Sequence, residues 1–214
     1  MKISAGWQPN ATLEREINQQ FESALAAYQA KPTLITEHSN HEESIRTGGY
    51  ATRTLLELLQ NAADQMSGAE SLSNDPGRVE IILDQTTNTL YCANSGRPFS
   101  QNGIIAITHA HVSAKRGDEI GRFGLGFKSV LAVTETPQIF SRSVSFEFNS
   151  EQSRSSIRDI GVPARRLPIL RTPTLIDVDE HFEQDPVLQD LAEWLLQWSV
   201  CQMFMTQRES VEKC

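Results

Sequence analysis

Residues 55–66 read Leu55-Leu56-Glu57-Leu58-Leu59-Gln60-Asn61-Ala62-Ala63-Asp64-Gln65-Met66, and two patterns run through them at helical period. Leu55, Leu58, Leu59, Ala62 and Met66 are expected on one side of a helix that starts near Tyr50. Glu57, Asn61 and Asp64 recur at i, i+4 and i+7 and share the opposite side. A solvated polar face is the ordinary meaning of such a pattern. Ala62 and Ala63 beside the polar group also suit a helix face set against a cofactor, where small residues are needed. The helix alone leaves both readings open.

Downstream lies Gly121-Arg122-Phe123-Gly124-Leu125-Gly126-Phe127-Lys128-Ser129, with three glycines in six residues ahead of an apolar run of helical character. Such a backbone approaches an anion closely, and the N–H groups of the following helix meet phosphate where the helix dipole favours negative charge. A Walker A loop is excluded, because Phe127 separates Gly126 from Lys128. A Rossmann fingerprint is excluded too: Ser129 stands where its third glycine or alanine belongs, and a charged, loop-like stretch precedes Gly121. Between helix and glycines, Cys92-Ala93-Asn94-Ser95-Gly96-Arg97-Pro98-Phe99 ends a strand in a polar turn, by itself ordinary surface-turn chemistry.

In this order the three elements resemble the motifs of the GHKL ATPases, the superfamily of gyrase, heat-shock-ninety chaperones, histidine kinases and MutL. Glu57 to Asp64 resembles the N-box, Glu-x-x-x-Asn-x-x-Asp, and Asn94-Ser95-Gly96 stands at the Asp-x-Gly motif. Gly121 to Ser129 resembles the glycine box of heat-shock-ninety chaperones, and Ser113-Ala114-Lys115 the segment at the base of the ATP lid. The short spacing from Ser113-x-Lys115 to Ile120–Phe127 is most similar to sacsin-type domains. The resemblance covers residues 50–148.

The resemblance implies ATP and Mg²⁺ as ligands. Glu57 would be the general base toward the attacking water, and Asn61 would hold Mg²⁺ through its amide oxygen, a hard donor for a hard cation. Asp64 would stand behind Asn61, Asn94 would face the adenine amine, and Gly96 would let the backbone approach the base. Gly121, Phe123, Gly124, Leu125, Gly126 and Phe127 would fold around the phosphates, with Ser113, Lys115 and Lys128 beside them. Most of the superfamily reads adenine with Asp. A charged acceptor is worth roughly 1.5–3 kcal/mol against about 1 for a neutral one, so Asn94 implies weaker adenine reading.

The implied fold is an α+β two-layer sandwich of the Bergerat type. Its mixed, mainly antiparallel sheet carries the N-box, glycine-box and C-terminal helices on one face. The division expected is 1–49 for an N-terminal helix and connection, 50–149 for the ATP-binding core, and 150–214 for an irregular connection and C-terminal helix. The implied function is Mg²⁺-dependent ATP binding with slow hydrolysis, used as a conformational or dimerisation switch. A nucleotide sensor without turnover is the alternative, against which Glu57 speaks. A histidine kinase would want a phosphoacceptor His in a dimerisation helix, and residues 10–29 have none. Expected partners are a second copy on ATP binding and a protein partner or downstream effector region.

The remainder of the sequence is consistent with this. The 214 residues suffice for a buried core, and the net charge of −8 disfavours a broad grip on nucleic acid or anionic lipid. No run approaches the roughly 20 apolar residues of a membrane span, and residues 1–9 lack the apolar stretch of a signal peptide. Cys92, Cys201 and Cys214, odd in number and without metal-ligand spacing, read as reduced thiols in the cytoplasm. Leu13, Ile17, Phe21, Ala24, Leu25 and Tyr28 predict a helix over 10–29, and residues 32–49 read as polar and turn-rich. Strands are expected at 79–83, 89–93, 138–141 and 144–148, and short helices at 103–109 and 127–133. Residues 149–178 read as irregular. Asp185-Pro186 starts a helix along Leu188, Leu191, Leu195, Trp198 and Met205. His109 and His111 lack further metal-ligand spacing, and Trp194 and Trp198 read as packing residues.

Overall fold

A computed structural model describes residues 7, 9–48, 53–66, 77–109, 127–158, 160, 167–196 and 202–207. Helix α1 (Ala11–Ala30) begins at Asn10, whose side chain accepts from the N–H groups of Thr12 and Leu13, and it buries Leu13, Ile17 and Tyr28. Helix α2 (Thr33–Thr47) occupies the stretch expected to be turn-rich. Its buried positions are Ile35, Ser39, Glu42 and Ile45, so two of the four residues in the stripe are polar and the apolar period is hidden. Helix α3 (Thr54–Met66) follows, then the hairpin of β1 (Val79–Asp84) and β2 (Thr89–Asn94), whose turn uses Asn88 at φ 54°. Next come α4 (Gln101–Thr108), a 3₁₀ helix (Phe127–Ala132), β3 (Pro137–Ser141) and β4 (Phe146–Phe148).

The segment read as irregular contains α5 (Ser150–Arg158), β5 (Pro173–Leu175) and the start of α6 (Val178–Gln184). Helix α7 is described over Pro186–Leu196, and Met205, expected on that helix, belongs to β6 (Gln202–Gln207). The strands form one sheet in the order β1-β2-β6-β3-β4-β5, with every described pairing antiparallel, so the parallel component of a mixed sheet is not found among them. Strand β6 joins the two hairpins by pairing with β2 on one side and β3 on the other.

The chain is thus an α+β sandwich, and strand alternation explains its two cores. Cys92, Ile139, Phe146 and Phe148 face α1, α3, α4 and the 3₁₀ helix through Leu13, Ile17, Leu58, Ile104, Val130 and Leu131. Tyr91, Ala93 and Phe140 point the other way, onto Phe182 of α6 and Leu188, Leu191, Ala192 and Leu195 of α7. The C-terminal helix therefore lies on the face opposite α3, not beside it as expected. Alternate residues of β2 are apolar on both sides, and the second face needs its own cover. Tyr91 fixes that cover by donating its hydroxyl to Asp185 Oδ2 at 2.7 Å.

Glu42 ties α2 to the chain beyond β4. Its carboxylate accepts from the N–H of Ile169 (2.9 Å) and Leu170 (3.0 Å). Burial pushes this carboxyl up to about 7, against the opposing pull of those two donors and of Arg171 and Arg46. Because the folded value lies above the ordinary 4.5, the folded state binds more protons between the two. Stability from this group is complete below about 4.5 and is lost as pH rises through about 7. Glu42→Gln should flatten that part of the pH–stability curve in chemical denaturation. It should also cost about 1–3 kcal/mol, since an amide offers one acceptor to two backbone donors. An unaltered slope would mean that another group titrates there.

Candidate functional site

Helix α3 buries Thr54, Leu58 and Ala62, one stripe at i, i+4 and i+8, and Thr54 Oγ1 donates to the Ser129 carbonyl at 3.0 Å. Glu57, Asn61 and Asp64 are all half-buried. At about 100° per residue they fall within roughly 60° of one another on one shoulder of that stripe. Leu55 and Leu59 fall on the other shoulder and are exposed (44% and 36%), as is Leu56 at 51%. The expected five-residue apolar side thus reduces to Leu58 and Ala62, with Met66 half-buried at the end. The polar trio sits at the edge between core and surface, where side chains can meet a ligand without crossing the core.

The turn after β2 docks on the last turn of α3. Arg97 N–H donates to the Gln65 carbonyl at 3.2 Å, while Ser95 and Arg78 exchange bonds through Ser95 N–H to Arg78 O (3.0 Å) and Arg78 N–H to Ser95 Oγ (2.8 Å). Gly96 lies against the helix so closely that a Cβ there would stand 2.7 Å from Gln65 Cβ and 2.9 Å from its carbonyl carbon. Asn94, at 0% exposure, closes the turn: its Oδ1 accepts from Gly96 N–H at 2.9 Å. Its Nδ2 is buried and has no hydrogen-bond partner among the described residues. Leaving a buried amide donor unmatched costs about 1–3 kcal/mol, and native structures rarely do so without a reason such as a ligand.

Of the expected glycine-box residues, Phe127 and Lys128 are described, and both face inward. Phe127 packs near Phe148, ring centroids 6.2 Å apart. Lys128 is 3% exposed and donates its ammonium to the His109 carbonyl. Burial lowers its pKa to about 8; Arg171 adds to the shift and Glu42 opposes it. With His38, His41, Glu42, Leu170 and Arg171 it lines a cavity of about 10 Å³, the size of one water. Ser113, Lys115, Gly121, Phe123, Gly124, Leu125 and Gly126 lie outside the described residues, as do His111 and Trp198.

Sequence reasoning missed this second polar group, which α1, α2, the 3₁₀ helix and residues 167–172 assemble. Tyr28 Oη pairs with His38 Nδ1 at 3.0 Å, and burial lowers the His38 pKa. The detectable signal was the recurrence of Ile35, Ser39, Glu42 and Ile45 at helical spacing. His109 joins a chain of side-chain amides: its Nε2 lies 2.8 Å from Gln20 Oε1, and Glu16 accepts from both Gln20 and Gln101 at 2.7 Å. Burial pushes the Cys92 thiol up to about 11, which leaves it a packing residue rather than a nucleophile.

Fold and site together define an α+β sandwich with a polar helix shoulder next to a buried, backbone-docked Asn turn. No family model matches the chain. It is 32% identical to human sacsin in an alignment of 124 positions that covers 52% of this chain and 3% of sacsin, so the chain spans a small fraction of that relative's length. Among the described residues no helix is long and apolar enough to cross a membrane.

The docking of the turn gives a direct expectation. Gly96→Ala must open the contact with Gln65 or disturb the Asn94 side chain, whose Oδ1 would also lie 2.7 Å from the new Cβ. The substitution should destabilise the fold by about 1–3 kcal/mol, as overpacking does. Thermal melting reads this, and an unchanged midpoint would show that the turn is not held against α3.

Proposed function

We propose that this chain binds ATP with Mg²⁺ at the α3 shoulder and the Asn94 turn, and hydrolyses it slowly as a conformational switch. The observation that carries the reading is the buried Asn94 amide with an unmatched Nδ2, in a turn seated on the helix that bears Glu57, Asn61 and Asp64. The similarity to human sacsin over 124 aligned positions, together with the order of the motifs, supports it.

In this reading Asn94 meets the base edge, and Gly96, whose missing side chain admits Gln65 of α3, keeps the turn seated on the helix. Asn61 would hold Mg²⁺ through its amide oxygen, with Asp64 steadying it from one helical turn further on; such donors suit a hard, oxygen-seeking cation. Mg²⁺, when bound, would supply neutralisation of phosphate charge. Glu57 would orient a water and accept its proton, the chemistry being mostly positioning and electrostatics. Ser113, Lys115 and the glycines at 121, 124 and 126, with Phe123 and Leu125, would cradle the phosphates. Lys128 is committed inside the fold, so Lys115 is the better candidate for a phosphate cation. The switch would be read by a second copy of the chain or by an effector region, in the cytoplasm. A sensor that binds without turnover would use the same residues and differ only in the part played by Glu57.

Calorimetry with Mg²⁺·ATP should show saturable binding that Asn61→Ala weakens markedly. Glu57→Ala should keep binding and lower steady-state phosphate release by about 10²–10⁴-fold, the usual contribution of a general base. Equal affinity in Asn61→Ala would sink the assignment of the helix shoulder. Binding without measurable release from the unmodified chain would favour the sensor.

A further inference from the structure

We infer that the base subsite accepts a carbonyl as well as an amine at the purine 6-position, so that a 6-oxopurine triphosphate (GTP or ITP) binds about as tightly as ATP. The inference rests on the reading above that Asn94 meets the base. It turns on which end of the Asn94 amide is left for a ligand. Gly96 N–H lies 2.9 Å from the side-chain oxygen, and a backbone N–H is satisfied only by an acceptor. Turning the amide over would set two donors face to face. The orientation is therefore fixed by chemistry: oxygen inward on the turn, NH₂ outward from it.

No other group of the turn relieves that NH₂. The Ser95 hydroxyl oxygen already accepts from Arg78 N–H at 2.8 Å, and the Gln65 carbonyl accepts from Arg97 N–H at 3.2 Å. Asn94 is fully buried, and its Nδ2 is without a hydrogen-bond partner among the described residues. A base that fills the site must bring an acceptor to it. Guanine and hypoxanthine present O6. Adenine can donate N6–H₂ to the second lone pair of Oδ1 while a neighbouring ring nitrogen accepts from Nδ2, and a 6-oxopurine matches the same two groups with N1–H and O6. An Asp at this place, with acceptors alone, would take the adenine amine and repel a carbonyl O6. The change from carboxylate to amide thus removes the discrimination between the two purines, and does not only weaken the reading of adenine.

The test is a set of dissociation constants for Mg²⁺ complexes of ATP, GTP and ITP with the 214-residue chain. GTP and ITP should each bind with an affinity similar to that of ATP, and ITP should follow GTP because it differs only by lacking the 2-amino group. Asn94→Asp, which retains an oxygen for Gly96 N–H, should move the GTP-to-ATP ratio toward ATP by about tenfold or more. Saturable ATP binding with GTP and ITP weaker by about tenfold would overturn the inference and leave the nucleotide reading standing. GTP binding without ITP binding would place recognition at the 2-amino group and overturn it as well. Failure of all three to bind would remove both readings at once.

Discussion

The contact between the end of β2 and the last turn of α3 is made by backbone. Arg97 N–H reaches the Gln65 carbonyl, and at position 96 the two segments approach too closely for any side chain. Much of the molecule follows from this approach. It holds α3 across the edge of the sheet, so that Leu58 and Ala62 enter the core with Cys92, Phe127 and Val130. It also sets the polar shoulder of α3 beside a turn whose side chain is wholly enclosed. A larger residue at 96 would separate the helix from the strand, and core and site would be disturbed together.

A second constraint acts at the start of the 3₁₀ helix. Glu42 and Lys128 are buried between α2, the 3₁₀ helix and residues 167–172, with Tyr28, His38 and the half-buried Arg171 beside them. Burying charge is costly unless it is paired and hydrogen-bonded. Here Glu42 takes two backbone donors and Lys128 a backbone carbonyl, so the cluster fixes loops rather than only filling space. It positions the segment that follows the glycine-rich stretch from behind, through Lys128. Opposing shifts on Glu42 and Lys128 record one cause, the removal of both groups from water.

Where sequence reading succeeded, one physical pattern dominated. The β1–β2 hairpin and α1 follow from alternation and from a single apolar stripe with its Asn10 cap. The shoulder of Glu57, Asn61 and Asp64 follows from helical spacing alone. Where it failed, burial was carried by polar residues: Ser39 and Glu42 hide α2, and Ser153 with Ile157 hides α5. Met205 was misread as helical because it lies in the run Met203-Phe204-Met205 of a strand between two others, whose continuous apolar character period does not separate from a helix. The opposite-face position of α7 depends on which residues of β2 pair with which of β6, a long-range fact. Asn94-Ser95-Gly96 was legible as a turn; that one end of its amide is unmatched is visible only in three dimensions.

The central claim is that the enclosed Asn94 side chain forms part of a nucleotide site. The most direct measurement is the amide NMR spectrum followed through a titration with Mg²⁺·nucleotide, with the Asn94 side-chain NH₂ and the Gly96 N–H assigned. The account predicts that both resonances shift saturably and together, with the same apparent affinity as the α3 residues Asn61 and Asp64. Saturable binding that leaves the Asn94 NH₂ and Gly96 N–H in place would contradict it, because the base would then lie elsewhere.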